Sequence, residues 1–371
     1  MKFFCNGSEL SEATNTVSKA VASNKNIPIL EGIKICASGK TVTLSAFDEE
    51  LFIEKKILAD IHTEGEIIVN GKLFNDYVNK ISSHDSIGIE LDLNNKIKIY
   101  FGKNSLEMNC YDSKGFASLG EFSDKNSFKI KQGEMKELFD RCIFCSTPNS
   151  ENYQLVKSLH MEVIGDKVQA YCLDGMRMAL NKKPVTEVKG EIKCSILAKT
   201  VNDIIKILND GDEEVKVILE KRALLLDAGY TKIRIGLMSV DNFDYNAIIP
   251  VGSNNELIVN KNELNDALNR VSIISRESHN NASFFTIDES SLNINCENEK
   301  GRINENIECK YDGAERKIYV KNKYIQEAIS RIKEDFVKII INEDKNKPII
   351  VTRVDEDDYI CIILIVRNLG Y

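Results

Sequence analysis

Apolar residues recur at helical spacing in six stretches of this chain, and the six fall into two series of three. In the first series, Leu10, Ala13, Val17 and Val21 share one helix face, as do Met135, Leu138, Phe139, Cys142 and Ile143, and then Leu264, Ala267, Leu268, Val271 and Ile274. The second series reads VNGKLFNDYVNKI at Val69–Ile81, SILAKTVNDIIKIL at Ser195–Leu208 and VKNKYIQEAISRI at Val320–Ile332. Its apolar positions are Leu73, Phe74, Tyr77, Val78 and Ile81, then Val201, Ile204, Ile205 and Leu208, then Tyr324, Ile325, Ala328, Ile329 and Ile332. Both series step by about 125 residues, a whole-domain period far longer than the roughly 20–50 residues of solenoid or propeller repeats.

Between the helical stretches lie short runs rich in β-branched residues and punctuated by turns. IPILEGIKICASGKTVTLSAF turns at Ser38-Gly39, HMEVIGDKVQAYCL at Gly165-Asp166, and SIGIELDLNNKIKIYF at Asn94-Asn95. Each third therefore has the order helix, strands, helix, strands. The fold class is α+β: three tandem copies of a domain with two helices on antiparallel sheet. Polar joins near Ser123–Asn126 and Val251–Asn255 divide the chain into domains at 1–125, 126–252 and 253–371.

Composition adds limits rather than a function. The 371 residues, 43% apolar and 29% charged, suit a soluble globular protein with several cores. A formal net charge of -8 argues against a chain that is basic throughout, although a local basic surface is still compatible with nucleic acid. The ten cysteines, with no apolar leader in MKFFCNGSEL, read as reduced thiols and place the protein in the cytoplasm. The longest apolar run, Tyr359–Val366, is too short to cross a bilayer and suits a buried strand.

Lys72, Lys80, Lys136, Arg141, Lys199, Lys206, Arg270, Lys323 and Arg331 lie on or beside the six helices. For each one alone the simple account is a solvated helix face. Together they fit a basic stripe on an otherwise acidic body, which would attract phosphates without reading bases.

Nothing in the chain points to catalysis. Cys142 and Cys145 form a CxxC without a second ligand pair, on an apolar helix face, and read as core. The run Asp355–Asp358 reads as a solvated loop, because consecutive carboxylates do not converge on a metal. His62, His84, His160 and His279 stand far apart, and there is no P-loop, GxGxxG or HExxH. The expectation is a non-enzyme with no metal and no cofactor.

Several segments together resemble a known family. MKFFCNGSELSEATNTVSKAV with IPILEGIKI, LDGMRMAL at Leu173–Leu180, SIISRESHNNASF at Ser272–Phe285 and the ending DEDDYICIILIVR are similar, in order and spacing, to the bacterial DNA polymerase III β subunits, the sliding clamps. The resemblance implies three similar clamp domains per subunit and a head-to-tail homodimeric ring with helices lining the hole. It implies a processivity factor that encircles duplex DNA and tethers polymerase, without catalysis of its own. The alternative is a divergent paralogue serving as a specialised repair or scaffold platform. Partners implied are double-stranded DNA, a second copy of the chain, the polymerase III α subunit, the clamp loader and other proteins with clamp-binding peptides; a membrane is not among them.

Carried over residue by residue, the DNA-facing positions are Lys72 and Lys199, with Asn24 and Lys25 where the family commonly has an arginine. The partner-peptide pocket comprises Val156; Leu173, Gly175, Met176, Arg177 and Met178; Ala247 and Ile248; Tyr324 and Pro348; and Ile362, Leu364, Ile365, Val366 and Arg367. Read without the resemblance, these are ordinary core residues. Subunit pairing would bring Leu106 and Met108, flanked by Lys103, against the partner's copies of Ile273 and Ile274. Departures from the family cluster at the same places. The closing Met-Pro-(Met or Val)-Arg is replaced by Leu364-Ile365-Val366-Arg367 with Asn368–Tyr371 beyond it, a histidine is replaced by Met176, the loop DNFDYNAIIP lacks a proline and an arginine, and Ser105 replaces a basic residue. The expected pocket is more apolar than usual in the family.

Overall fold

The computed structural model describes residues 1–22, 28–150, 153–240, 243–252, 254–276, 281–344 and 346–366. In chain order its helices are α1 (Gly7–Val17), α2 (Gly71–Lys80), α3 (Gln132–Ile143), the single turn α4 (Gln154–Lys157), α5 (Ala198–Ile207), α6 (Lys261–Ser275) and α7 (Asn322–Ile329). Helices α1, α2 and α6 begin at Asn6, Asn70 and Asn260, whose side-chain oxygens accept from first-turn amides that have no partner within the helix. The second-series stretches begin as strand rather than helix. Gly65–Asn70, Lys193–Leu197 and Arg316–Lys321 run directly into α2, α5 and α7. This corrects one apolar assignment: α2 buries Gly71, Phe74 and Val78, and Leu73 is left 49% exposed.

The chain forms two compact units. The first comprises residues 1–134, 185–192 and 203–237; the second comprises 135–184, 193–202 and 238–371. Each is built on one antiparallel sheet, of 14 strands in the first unit and 12 in the second. The middle third divides its strands between them. Ser127–Lys131, Glu214–Leu219, Ala223–Ala228 and Thr231–Gly236 join the first sheet, while Ser158–Ile164, Lys167–Leu173, Arg177–Pro184 and Lys193–Leu197 join the second. In the first unit the sheet continues from first-third to middle-third strands through Ile53 opposite Ile233. In the second it continues from middle-third to last-third strands through Met178 opposite Ile362. Main-chain hydrogen bonding therefore runs unbroken across sequence repeats, because a strand edge left open at a join would be an unpaired row of polar groups.

In each unit a pair of helices covers the sheet, held by the same device. Asn15 and Asn79 exchange amide hydrogen bonds of 2.9 Å between α1 and α2, with Ser11 Oγ donating to Asn79 at 2.6 Å. Gln326 donates to Asn269 at 2.8 Å between α7 and α6. Below these polar seams Leu10 and Phe74 in the first unit, and Leu264, Leu268 and Ile325 in the second, are fully buried.

Two charged positions differ from their sequence reading. Arg141 is buried rather than displayed on a basic stripe. It pairs with Glu137 at 2.6 Å and Asp358 at 3.0 Å, and Lys183 joins the same carboxylates at 3.1 and 3.5 Å. Asp358 is correspondingly not a solvated loop residue; Arg353 also holds it, at 2.9 Å. Burial opposes ionisation of Asp358, but Arg353 and Arg141 outweigh it and hold the carboxyl below its ordinary value. A charge this deep persists only because it is paired on several sides. Cys142 and Cys145 are buried core residues, with the Cys142 thiol donating to the Ala170 carbonyl at 3.2 Å.

Candidate functional site

The clearest concave site lies in the second unit, around the turn between strands Lys167–Leu173 and Arg177–Pro184. Asp174 Oδ1 accepts from the backbone N–H of Met176 at 2.9 Å and of Arg177 at 3.0 Å. Gly175 sits at φ +85 with open space where a Cβ would stand, so the turn needs glycine for its backbone angle and not for room. The turn points Arg177 inward. Its Nε donates to Asp174 at 2.9 Å, one terminal nitrogen to Glu327 and the other to the Phe144 carbonyl at 3.2 Å. The guanidinium lies 4.4 Å from the Tyr324 ring centroid and 5.2 Å from that of Phe144. Each of its three nitrogens is hydrogen-bonded within the protein and its charge is matched by Asp174 and Glu327, so it stiffens the wall.

Beside this wall is a groove enclosing about 170 Å³, lined by Leu173, Gly175, Met176, Arg177, Met178, Ile248, Ile362 and Leu364. The segment that follows the final strand, Tyr359–Ile363, is tied down beside it: Leu364 N donates to the Met176 carbonyl at 2.9 Å, and Val366 N to the Tyr319 carbonyl at 2.8 Å. Leu364 is 37% exposed at the mouth, whereas Met178 and Ile362 are buried. Such a groove binds by covering apolar surface, at about 1.5–3 kcal/mol for each large side chain it fully buries. Unbranched Met176 and Met178 let the walls adapt to more than one shape.

The groove rests on Tyr171, Leu180, Tyr245 and Ile350, with Leu155 packed against them. Tyr171 stacks between His160 and Tyr245, each ring centroid 4.8 Å away. His160 bridges the Leu155 carbonyl and Ser195 Oγ, both at 2.9 Å, so that with a proton on Nε2 it donates to Leu155 and accepts from Ser195. Burial lowers its pKa and keeps it neutral near pH 7. Tyr245 donates to Glu162 at 2.9 Å, and Gln169 donates to the same oxygen at 2.6 Å. Sequence reasoning missed Tyr171, Tyr245, His160 and Leu155. Their segments were legible as strand or loop, but nothing local marks an aromatic stack assembled from three segments.

Other expected pocket residues fall beside the groove. Val156 does not line it; its carbonyl accepts from Thr147 N at 2.7 Å, and it is the neighbouring Leu155 that packs beneath. Ala247 is exposed on the turn Tyr245–Ile248, and only Ile248 of that turn reaches the groove. Pro348 is buried ahead of strand Ile349–Thr352. Tyr324 backs Arg177, and Ile365 and Val366 are half-buried beyond Leu364. Arg367 lies outside the described residues, as do Asn24 and Lys25.

Lys72 and Lys80 on α2 and Lys199 on α5 are exposed and form no ion pair among the described residues. Lys206, Arg270, Lys323 and Arg331 are paired instead, with Asp203, Glu305, Glu327 and Asp140. The basic stripe is therefore sparser than its sequence suggests.

The residues assigned to subunit pairing lie at strand edges and a helix end. Strand Asn104–Tyr111 bonds to Lys96–Phe101 on one side, but on the other only Cys110 and Tyr111 are paired. In the second unit, strand Gly301–Tyr311 pairs fully with Ser291–Asn298, but with Leu257–Val259 only through Cys309–Tyr311. Ile273, on α6, is 70% exposed and Ile274 half-buried. Lys103 is exposed and Leu106 half-buried. Met108 is 6% exposed, so it belongs to the core of its own sheet and not to an open patch. Among the described residues no three His, Cys, Asp or Glu side chains are placed to hold a metal, and no helix is long and apolar enough to cross a membrane.

Comparison with known proteins matches three consecutive family descriptions to the chain. These are the N-terminal domain of the DNA polymerase III beta subunit over residues 1–119, its central domain over 129–243 and its C-terminal domain over 246–367. The chain is 25% identical to the beta sliding clamp of Bacillus subtilis, over 99% of this chain and 100% of that one. It is 21% identical to the beta sliding clamp of Pseudomonas aeruginosa, again over 99% and 100%. Among solved structures, the DNA polymerase sliding clamp from Bacillus subtilis superposes with a TM-score of 0.91 at 25% identity, covering 100% of both chains. A sliding clamp from Pseudomonas aeruginosa bound to griselimycin superposes with a TM-score of 0.93 at 20% identity, covering 99% of both.

Proposed function

The chain belongs to the DNA polymerase III β-subunit family, the β sliding clamps, and from that membership we propose that its Leu173–Leu364 groove docks clamp-binding peptides. The family is a non-catalytic one, and the function that comes with it is processivity: a clamp on DNA that keeps a polymerase at its template. Its partners are DNA and polymerase. The finer reading is ours. Two copies close head to tail into a ring, each contributing three domains at 1–125, 126–252 and 253–371. The half-open edges at Asn104–Asn109 and Gly301–Glu308 are the surfaces available for that pairing. Polymerase III α, the clamp loader and other partners enter the groove by short peptides.

The observation that carries the docking reading is the groove's composition. Leu173, Met176, Met178, Ile248, Ile362 and Leu364 face it, and its one charged lining residue, Arg177, has its charge matched by Asp174 and Glu327. An apolar peptide side chain can enter without stripping water from an unpaired charge. A ring needs little else. Topological linkage holds the partner near the primer end at high effective concentration, and sparse lysines such as Lys72 and Lys199 attract phosphates without fixing the ring to one sequence.

Two experiments separate the parts. Clamp loaded on nicked circular plasmid is expected to remain bound and to leave when the circle is cut; retention on linear DNA with free ends would overturn the ring mechanism. A labelled clamp-binding peptide is expected to lose at least tenfold in affinity for Met178→Glu and for the surface variant Leu364→Asp, with melting curves confirming that Leu364→Asp folds. Unchanged affinity in Leu364→Asp would remove the groove assignment.

A further inference from the structure

The strand Tyr359–Ile363 has the peptide groove at one end and the loop Arg353–Asp358 at the other. At the loop end lies a second, larger concavity of about 790 Å³, with a different chemistry. It opens where the sheet splits. Strand Gly301–Tyr311 pairs with Leu257–Val259 only as far as Cys309 opposite Val259, and then continues with Ser291–Asn298 alone. The gap is lined by Ile258, Cys309 and Val354, with Phe336 standing 52% exposed at its side. An aromatic ring left half in water inside a concave surface is a place where apolar area is still to be buried.

The rim is acidic. Glu263, Glu308, Asp335 and Asp355 all line the concavity, are exposed and form no ion pair among the described residues. Glu334 is engaged by Arg353, but its Oε2 has no hydrogen-bond partner. The positive groups nearby are fewer and partly used. Lys261 donates to the carbonyls of Ile332 and Lys333, Arg353 is held by Glu334, Glu356 and Asp358, and the start of α6 lies beside Glu263; only Lys310 is an exposed, unpaired cation on the rim.

We propose that this acidic-rimmed groove is a second docking surface, and that its occupant is a protein segment carrying lysine or arginine on both sides of a large apolar side chain. The apolar residue packs on Phe336, Ile258 and Val354, and the flanking cations meet Asp335 and Asp355, which lie off the strand edge assigned to subunit pairing. Charge sign excludes a nucleic acid backbone at this rim. The proposal does not depend on the peptide groove, since the two concavities share no lining residue.

The test uses the full chain and a fluorescein-labelled, end-blocked KRFLRK peptide, read by anisotropy, with KRSSRK and EEFLEE as comparators. Saturable binding of KRFLRK is expected, at least tenfold tighter than of either comparator. It should weaken at least tenfold in Phe336→Ser and in the double variant Asp335→Lys, Asp355→Lys, and stay within twofold in Leu364→Asp. All of these replace exposed side chains, and melting curves check their folding. No binding, equal binding of KRSSRK, equal binding by the groove variants, or loss in Leu364→Asp alone would each overturn the proposal.

Discussion

The two concavities of the second unit are built on the same sheet and handle charge in opposite ways. Around Leu173–Leu364 the charged groups are turned inward and matched: Arg177 is held by Asp174 and Glu327, and apolar side chains face the opening. Around Phe336 the carboxylates of Glu308, Asp335 and Asp355 face outward and unmatched. The first surface can bind only by excluding water from apolar area, which makes it tolerant of salt and of peptide sequence. An occupant of the second would meet unmatched charge as well as apolar surface, which makes it sensitive to both.

The strongest way to break the comparison is to unbalance the first site. Arg177→Met leaves Asp174 without its cation and Glu327 with only the more distant Lys323, and is expected to lower stability by about 3 kcal/mol in denaturant unfolding. Unfolding midpoints unchanged from the unsubstituted chain would mean that the pairing is ornamental. A gentler test uses salt. Raising sodium chloride from 50 to 500 mM is expected to weaken KRFLRK binding about tenfold while leaving clamp-peptide binding within about twofold, because charges farther apart than about 4–14 Å are screened over that range. Equal salt dependence at both sites would erase the distinction.

A smaller effect is expected at the turn. Gly175→Ala forces a side chain into the left-handed region and should cost about 1 kcal/mol, with peptide affinity falling as the Met176–Arg177 wall shifts. The smallest effect concerns His160. Its pKa is lowered by burial from an ordinary 6.5, so the unfolded chain takes up a proton first as pH falls. Stability from the neutral ring is therefore complete above about pH 6.5 and is lost as pH drops below that value toward the lowered folded pKa. The slope of unfolding free energy against pH in that window should shrink in His160→Gln; an identical slope would assign the dependence to other groups.

Much of the fold was legible locally. Leu138, Phe139, Leu264 and Leu268 were placed on buried helix faces by spacing alone, and the turns at Gly39 and Gly165 fell where glycine allows positive φ. The candidate site was legible only in part. All eight of its lining residues were identified from the resemblance: Leu173, Gly175, Met176, Arg177 and Met178 in one segment, Ile362 and Leu364 in another, and Ile248 in a third. The stack of His160, Tyr171 and Tyr245 beneath them was not, since no spacing rule relates residues that meet across separate segments. Arg141 failed for the same reason: its helix position suggested solvent, but Asp358, 217 residues away, draws it into the interior.

By itself the sequence determined the repeated unit. Periodicity and turn residues are short-range properties, and they specify helices and strands three times over. Only tertiary structure decided how those copies are used. Strand edges must find partners, so the middle copy gives its strands to two different sheets, and charges must be paired or hydrated, so one end of the last strand became apolar and the other acidic. Those outcomes depend on contacts between residues far apart in the chain, where the energy of pairing and burial outweighs local preference.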